Sequence, residues 1–180
     1  MREHIQKNAE QFKNKLQLIK IALFDVDGIL TDGRVYYQGE EMGFNRFFHI
    51  HDGYGLKLLQ SAGIKVGVIT GGNSLGVIKR FENLQLDYIY LGNEDKRSAY
   101  LDILKKENAR DENILYMGDE FFDIPLLKRA GFSATNKQAH FEVQESVDYV
   151  TQRAAGMGCV REVIDLLCEV QNIRPEIPSF

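Results

Sequence analysis

The segment from Ile21 to Gly33, IALFDVDGILTDG, constrains the fold more than any other. An apolar run, IALF, delivers two aspartates, Asp25 and Asp27, into a glycine-rich turn. A short apolar run bounded by turn residues suits a strand buried on both faces of a parallel sheet, where a bare carboxylate is costly. The aspartates therefore belong just beyond the strand. In open α/β sheets the ligand crevice lies outside the carboxyl ends of the strands, so both carboxylates are expected to point into a site. Period-two alternation puts them on one side and crowds like charges. Such a pair is tolerable if a divalent cation neutralises it, or if one carboxyl keeps a proton.

The rest of the chain alternates strand and helix patterns. Residues 1–19 place Ile5, Phe12, Leu16 and Ile19 near helical spacing, which predicts a packing helix ahead of the first strand. The stretch 34–50 has two aromatic runs around Gly39 and Gly43, the pattern of a β-hairpin flap that wants a partner surface. Asp52 and Gly53 are read as opening a helix that ends at Gly63, followed by the strand IKVGVIT. Further helices are expected over 73–83, 96–107 and 121–130, with strands at DYIYLG, NILYMGD, FSAT and VDYV. The tail 158–172 carries Val160, Val163, Ile164, Leu167 and Val170 on one helical stripe. This order predicts an α/β fold with a doubly wound, mainly parallel sheet.

Length and charge narrow the function classes. At 180 residues and 44% hydrophobic content, one core in a single domain spanning 1–180 is expected. The formal net charge of -4 gives no footprint for nucleic acid. The polar start of the chain lacks a leader pattern, and no apolar stretch is long enough to span a bilayer, so a cytoplasmic protein without a membrane partner is expected. Cys159 and Cys168 lack metal-binding spacing and are read as buried, reduced thiols.

Further polar landmarks fall at predicted strand ends: Thr70 with Gly71, Lys96, and Asp119 with Glu120 and Asp123. Each has a bland reading when taken alone. Thr70 could be a helix N-cap, Lys96 a solvated helix-start lysine and Asp123 an ordinary helix-face carboxylate. As a set, the aspartate pair, a hydroxyl beside glycines, a lysine and a second acidic cluster supply the parts of a phosphoryl-transfer site.

In this respect the chain resembles the haloacid dehalogenase superfamily, whose four motifs occur in order as DVDG, ITG, Lys96 and GDExxD, over nearly all of 21–164. The resemblance implies a HAD-like Rossmannoid fold with Asp25 as the nucleophile that becomes an aspartyl phosphate. It implies Asp27 as general acid and base, and Thr70 and Lys96 as phosphate ligands. Mg2+ is expected on Asp25, the main-chain carbonyl of Asp27, and Asp119, with Glu120 and Asp123 behind them. The closer resemblance is to the subgroup of 3-deoxy-D-manno-octulosonate 8-phosphate phosphatases, carried by DVDGILTDG, FFHIHDGYGLKLL, the ITG turn as far as Arg80, and GMGCVREVIDLL. It implies no separate cap domain, a homo-tetramer in which the hairpin packs on a neighbour, a tail that helps to close the site, and a role in lipopolysaccharide biosynthesis. Substrate contacts would fall on Asp27, His49, Ile50, His51, Asp52, Gly53, Lys57, Gly71, Gly72, Arg80 and Lys96.

Some positions depart from that subgroup. His51, Gly72 and Met157 stand where basic residues are usual, and Glu120 replaces an aspartate. An arginine fork would normally read the substrate carboxylate, which leaves Lys57, Arg80 and protonated His51 as candidates here. Three readings follow: a phosphatase for the eight-carbon sugar-acid phosphate, a phosphatase for a nine-carbon relative, and a noncatalytic assembly module of the same fold. The intact catalytic set favours the first.

Overall fold

The structure is a computed structural model that describes residues 2–177 and 179. Six strands, β1 (Ile21–Phe24), β4 (Lys65–Ile69), β5 (Tyr88–Tyr90), β6 (Ile114–Met117), β7 (Phe132–Asn136) and β8 (Tyr149–Thr151), form one parallel sheet. Its order is β5-β4-β1-β6-β7-β8. The chain winds outward from β1 to one edge, then returns to the other side of β1 for the second half. The carboxyl end of β1 is therefore the switch point, where a parallel sheet opens its crevice.

Alternation along the strands feeds two cores. Ala22 and Phe24 of β1, with Leu115 and Met117 of β6, face a layer containing α1 (Arg2–Leu16), α2 (Ile50–Ser61), α3 (Leu75–Leu84) and α7 (Cys159–Gln171). Ile21, Leu23, Ile114 and Tyr116 face the opposite layer, which contains α4 (Arg97–Lys106) and the one-turn helices α5 (Ile124–Leu127) and α6 (Phe141–Gln144). Both faces of β1 are fully covered, which is why its sequence is apolar without interruption.

Several boundaries differ from the sequence expectation. The leading helix stops at Leu16, and Met1 lies outside the described residues. The segment expected as a helix over 121–130 splits into a 3-10 turn, Phe121–Asp123, and α5, because Asp123 turns inward and Pro125 starts a new helix. α2 begins at Ile50, so Asp52 and Gly53 lie inside its first turn. The hairpin therefore ends before His49, and its ladder pairs only β2 (Tyr36–Tyr37) with β3 (Phe44–Asn45). α7 keeps its expected span, bracketed by Gly158 and Asn172, both at positive φ. Its buried face includes both free cysteines and Glu162. The Glu162 carboxylate accepts from Tyr149 Oη at 2.6 Å and from the amides of Gln152 and Arg153 at 2.9 Å each, which ties the loop before α7 to the sheet. Among the described residues no helix is long and apolar enough to cross a membrane.

Candidate active site

Strand register gathers the polar residues at one edge. Phe24 pairs with Val68 and Met117, so Asp25 stands one residue past that line, and Thr70 and Asp119 stand two past it. Alternation sends Asp25 to the side of Leu23, beneath α4 and α5. Lys96, at the N-terminus of α4, and Asp123, ahead of α5, come down onto it there. Oδ1 of Asp25 accepts from the Val26 amide at 2.7 Å and lies 2.9 Å from Lys96 Nζ. Nothing among the described residues donates to its Oδ2.

Lys96 is not a solvated helix-start lysine: its side chain is fully buried, between Asp25 and Asp123 and over the Phe122 ring. A buried ammonium has to be paired, and this one has two carboxylates. Asp123, equally buried, is no helix-face carboxylate. Its Oδ1 takes Lys96 Nζ at 2.7 Å and Tyr116 Oη at 2.6 Å, and its Oδ2 takes the amides of Asp119 and Glu120 at 3.1 Å each. With both oxygens doubly used, Asp123 organises the site and has little left for a ligand. Glu120 is exposed and caps its own turn through the Phe121 amide at 3.2 Å.

Asp25, Asp119 and Asp123 bring carboxylate oxygens within 4.8 Å of one another. Burial, then the charge on Asp123, push the Asp25 carboxyl up to about 7. Burial, then Asp25 and Asp123, push Asp119 up to about 8. The donor set is all oxygen, and Oδ1 of Asp119 is buried without a hydrogen-bond partner among the described residues. Gly28, at φ 81°, leaves the space that Asp119 fills. These features fit a hard divalent cation held by Asp25 and Asp119.

Asp27 does not crowd Asp25 as strand alternation predicts. The strand ends at Phe24, and residues Val26–Leu30 form a tight turn closed by the Thr31 amide on the Val26 carbonyl at 3.0 Å. The carboxylates gathered with Asp25 are those of Asp119 and Asp123, while Asp27 faces Arg46 of the hairpin root. That arginine was not singled out from the sequence. Thr70 is buried, and its Oγ accepts from the Gly72 amide at 3.2 Å. It is not the N-cap of α3, a position taken by Ser74. Gly71 and Gly72 complete this turn, with Gly71 against Glu94 and Gly72 against Arg46 and Asp27.

The expected sugar contacts gather around the start of α2. Asp52 is buried; its Oδ1 accepts from the Arg161 amide at 2.7 Å and its Oδ2 has no partner among the described residues. Burial raises its carboxyl above the ordinary range. Gly53 lets the Arg80 guanidinium approach, since a Cβ there would lie 2.3 Å from Nη2. Arg80 also lies over the Phe48 ring, its Nε without a hydrogen-bond partner among the described residues, and burial lowers its pKa. His49 and His51 rings meet edge to face, with Nδ1 of His49 buried and without a hydrogen-bond partner among the described residues. Ile50, His51 and Lys57 are exposed, and no hydrogen bond ties Lys57 to this group.

Comparison with known proteins agrees with this geometry. The haloacid dehalogenase-like hydrolase family model matches residues 88–164. The 3-deoxy-D-manno-octulosonate 8-phosphate phosphatase of Escherichia coli (strain K12) is 37% identical over 160 residues, covering 88% of this chain and 84% of the relative. The Moraxella catarrhalis enzyme of that name, solved with a magnesium ion, a phosphate ion and a KDO molecule, superimposes with a TM-score of 0.86 at 34% identity. That match covers 91% of this chain and 93% of the other. The Yersinia pestis enzyme gives a TM-score of 0.86 at 31% identity, covering 91% and 88%. A parallel sheet that delivers this acid and lysine cluster, with relatives matched over most of both chains, places the protein in the 3-deoxy-D-manno-octulosonate 8-phosphate phosphatase family of haloacid dehalogenase-like hydrolases.

Proposed function

We propose that the protein is a magnesium-dependent phosphatase that hydrolyses 3-deoxy-D-manno-octulosonate 8-phosphate to the free sugar acid and phosphate. The observation that carries this reading is the buried Asp25–Lys96–Asp123 chain beside Asp119. A buried, strongly perturbed acid cluster of this kind marks a working site.

Asp25 is the nucleophile. With Oδ1 held by Val26 and Lys96, Oδ2 is the oxygen left to attack phosphorus. A phosphorus–oxygen bond forms to Asp25 as the bond to the sugar oxygen breaks, and Asp27 gives that oxygen its proton. Asp27 then takes a proton from water, whose oxygen attacks the same phosphorus and releases phosphate and the Asp25 carboxylate. Lys96 and the Thr70 hydroxyl bind the remaining phosphate oxygens, with the amides of the Gly71–Gly72 turn beside them. Asp25, Asp119 and the Asp27 carbonyl would hold the cation, which, when bound, offsets repulsion between the carboxylates and the phosphate. Arg80, the α2 start from His49 to Gly53, and Lys57 read the sugar acid. We further infer a cytoplasmic homo-tetramer built through the aromatic hairpin and supplying lipopolysaccharide biosynthesis.

The test is magnesium-dependent phosphate release from the eight-carbon substrate by wild type and Asp25→Asn side by side. Release by the wild type alone supports the reaction and the nucleophile. A clear preference for a nine-carbon sugar-acid phosphate would move the substrate. No release from any sugar-acid phosphate would overturn the substrate, and no release from any phosphate monoester would leave the assembly-module reading.

A further inference from the structure

The hairpin sends one cation into the cleft. Arg46, the residue after β3, grips Asp27 with two prongs: Nε lies 2.5 Å from Oδ1 and Nη2 lies 2.7 Å from Oδ2. Its Nη1 donates to Ser74 Oγ at 3.1 Å and to the Phe44 carbonyl at 3.2 Å. The Arg46 side chain is 9% exposed, against 38% for Asp27. Gly72 makes room for the pair, because a Cβ there would lie 3.0 Å from Arg46 Nη2 and 3.3 Å from Asp27 Oδ2.

The hairpin root is itself fixed. Asn45 lies against Gly76 in the first turn of α3, where a Cβ would come within 2.1 Å of its Oδ1. Phe48 bridges to Thr31, just past the turn that carries Asp27. Arg46 is therefore a braced side chain. Apart from Arg46, the Asp27 carboxylate has among the described residues only Thr31 Oγ at 3.5 Å, a distance too long to orient it.

We propose that Arg46 is a positioning residue for Asp27. Its fork fixes the carboxylate in the rotamer from which Asp27 serves the leaving oxygen, so the hairpin is part of the active site. The inference rests on the phosphatase reading above. A two-pronged guanidinium–carboxylate pair sets direction as well as distance, and proton transfer depends on both.

The test compares Arg46→Ala and Arg46→Lys with wild type on two esters: the sugar-acid phosphate, whose alkoxide needs a proton to leave, and p-nitrophenyl phosphate, whose phenolate does not. If Arg46 positions the acid, Arg46→Ala lowers kcat/KM on the alkyl ester roughly 10- to 100-fold, within what a displaced general acid costs. The aryl ester should fall less than about threefold, because kcat/KM ends at the first irreversible step, which needs no acid there. Lysine, a single-point cation, should restore part of the loss. An equal fall on both esters would mean general damage and overturn the proposal, as would no fall on the alkyl ester. If wild type hydrolyses the aryl ester but no sugar-acid phosphate, the substrate reading fails alone, and glycerol 3-phosphate becomes the alkyl arm. A wild type inert to every monoester overturns both.

Discussion

Gly28 and Asp119 come so close that a Cβ on residue 28 would lie 1.9 Å from Oδ2 of Asp119. Gly28 also has φ 81°, which an L side chain adopts only with strain. Gly28→Ala therefore has two costs, about 1–2 kcal/mol for the backbone and the displacement of a carboxylate that should hold the cation. The expected result is weaker magnesium binding by calorimetry, with activity falling in parallel. Wild-type magnesium affinity in the variant would contradict this arrangement.

Asp123 is the residue whose removal should do most harm to folding. Asp123→Ala takes one of its two carboxylates from Lys96 and leaves Tyr116 Oη and two amides without their acceptor in the protein interior. Breaking a buried ion pair by removing one partner typically costs about 3–5 kcal/mol. Urea unfolding should show a loss of that order in Asp123→Ala and a smaller one in Asp123→Asn, which keeps one acceptor oxygen. Unchanged midpoints would mean that the network contributes little.

Much of this site could be read from the chain because apolar strands that end abruptly in polar residues mark the carboxyl edge of a parallel sheet. Asp25 and Thr70 follow IALF and KVGVI directly, and Asp119 follows ILYM after a single glycine. Lys96 was legible only through its order among the others. The relation of Asp25 to Asp27 was not legible, since alternation fails once the chain leaves β1 and Gly28 reverses it. Arg46 was missed because its contact with Asp27 depends on how the hairpin docks, and nothing in local periodicity encodes docking. Asp123 had a signal, its fixed spacing after Asp119, but whether it turns inward depends on Tyr116 and Lys96, which reach it from different elements. Glu162 also left a trace, a lone carboxylate on the apolar face of α7.

The raised carboxyls make stability depend on pH with a definite sign. In the unfolded chain an aspartate titrates near ~3.9. In the folded, metal-free protein Asp25 holds its proton to about 7 and Asp119 to about 8. Their favourable contribution is complete below the unfolded value and is lost as pH rises through the folded ones. Between these limits the metal-free protein should lose thermal stability as pH rises. Magnesium binds the ionised carboxylates, so its stabilising shift in Tm should be larger at pH 8 than at pH 5.5. Asp119→Asn removes one of the opposed charges and one cation ligand. Scanning fluorimetry should find its metal-free Tm at pH 8 above that of wild type by roughly 2–4 °C, the shift for about 1 kcal/mol. The magnesium shift should be nearly abolished. A magnesium shift independent of pH in the wild type would contradict the protonation assigned to these carboxyls.

The hairpin displays an apolar surface that the described residues leave uncovered. Tyr37, Phe44 and Phe47 are 58%, 56% and 65% exposed, and Val35 and Tyr36 lie beside them. Tyr36 stacks on Phe47 at 5.1 Å and Tyr37 tilts against Phe44 at 5.5 Å, so the rings form a patch. A two-stranded ribbon this short has little stability of its own, and a contiguous aromatic patch on it suits burial against another subunit. Tyr37→Asp combined with Phe47→Asp should reduce the proposed tetramer to smaller species in light scattering at micromolar concentration. Neither residue touches Asp25, Lys96 or Asp119, so magnesium binding should persist in the dissociated protein. Catalysis should still fall, because the braced hairpin that carries Arg46 loses its outer support. A wild type that is monomeric under the same conditions would remove the assembly, and a tetramer that survives both charges would move its interface away from the hairpin.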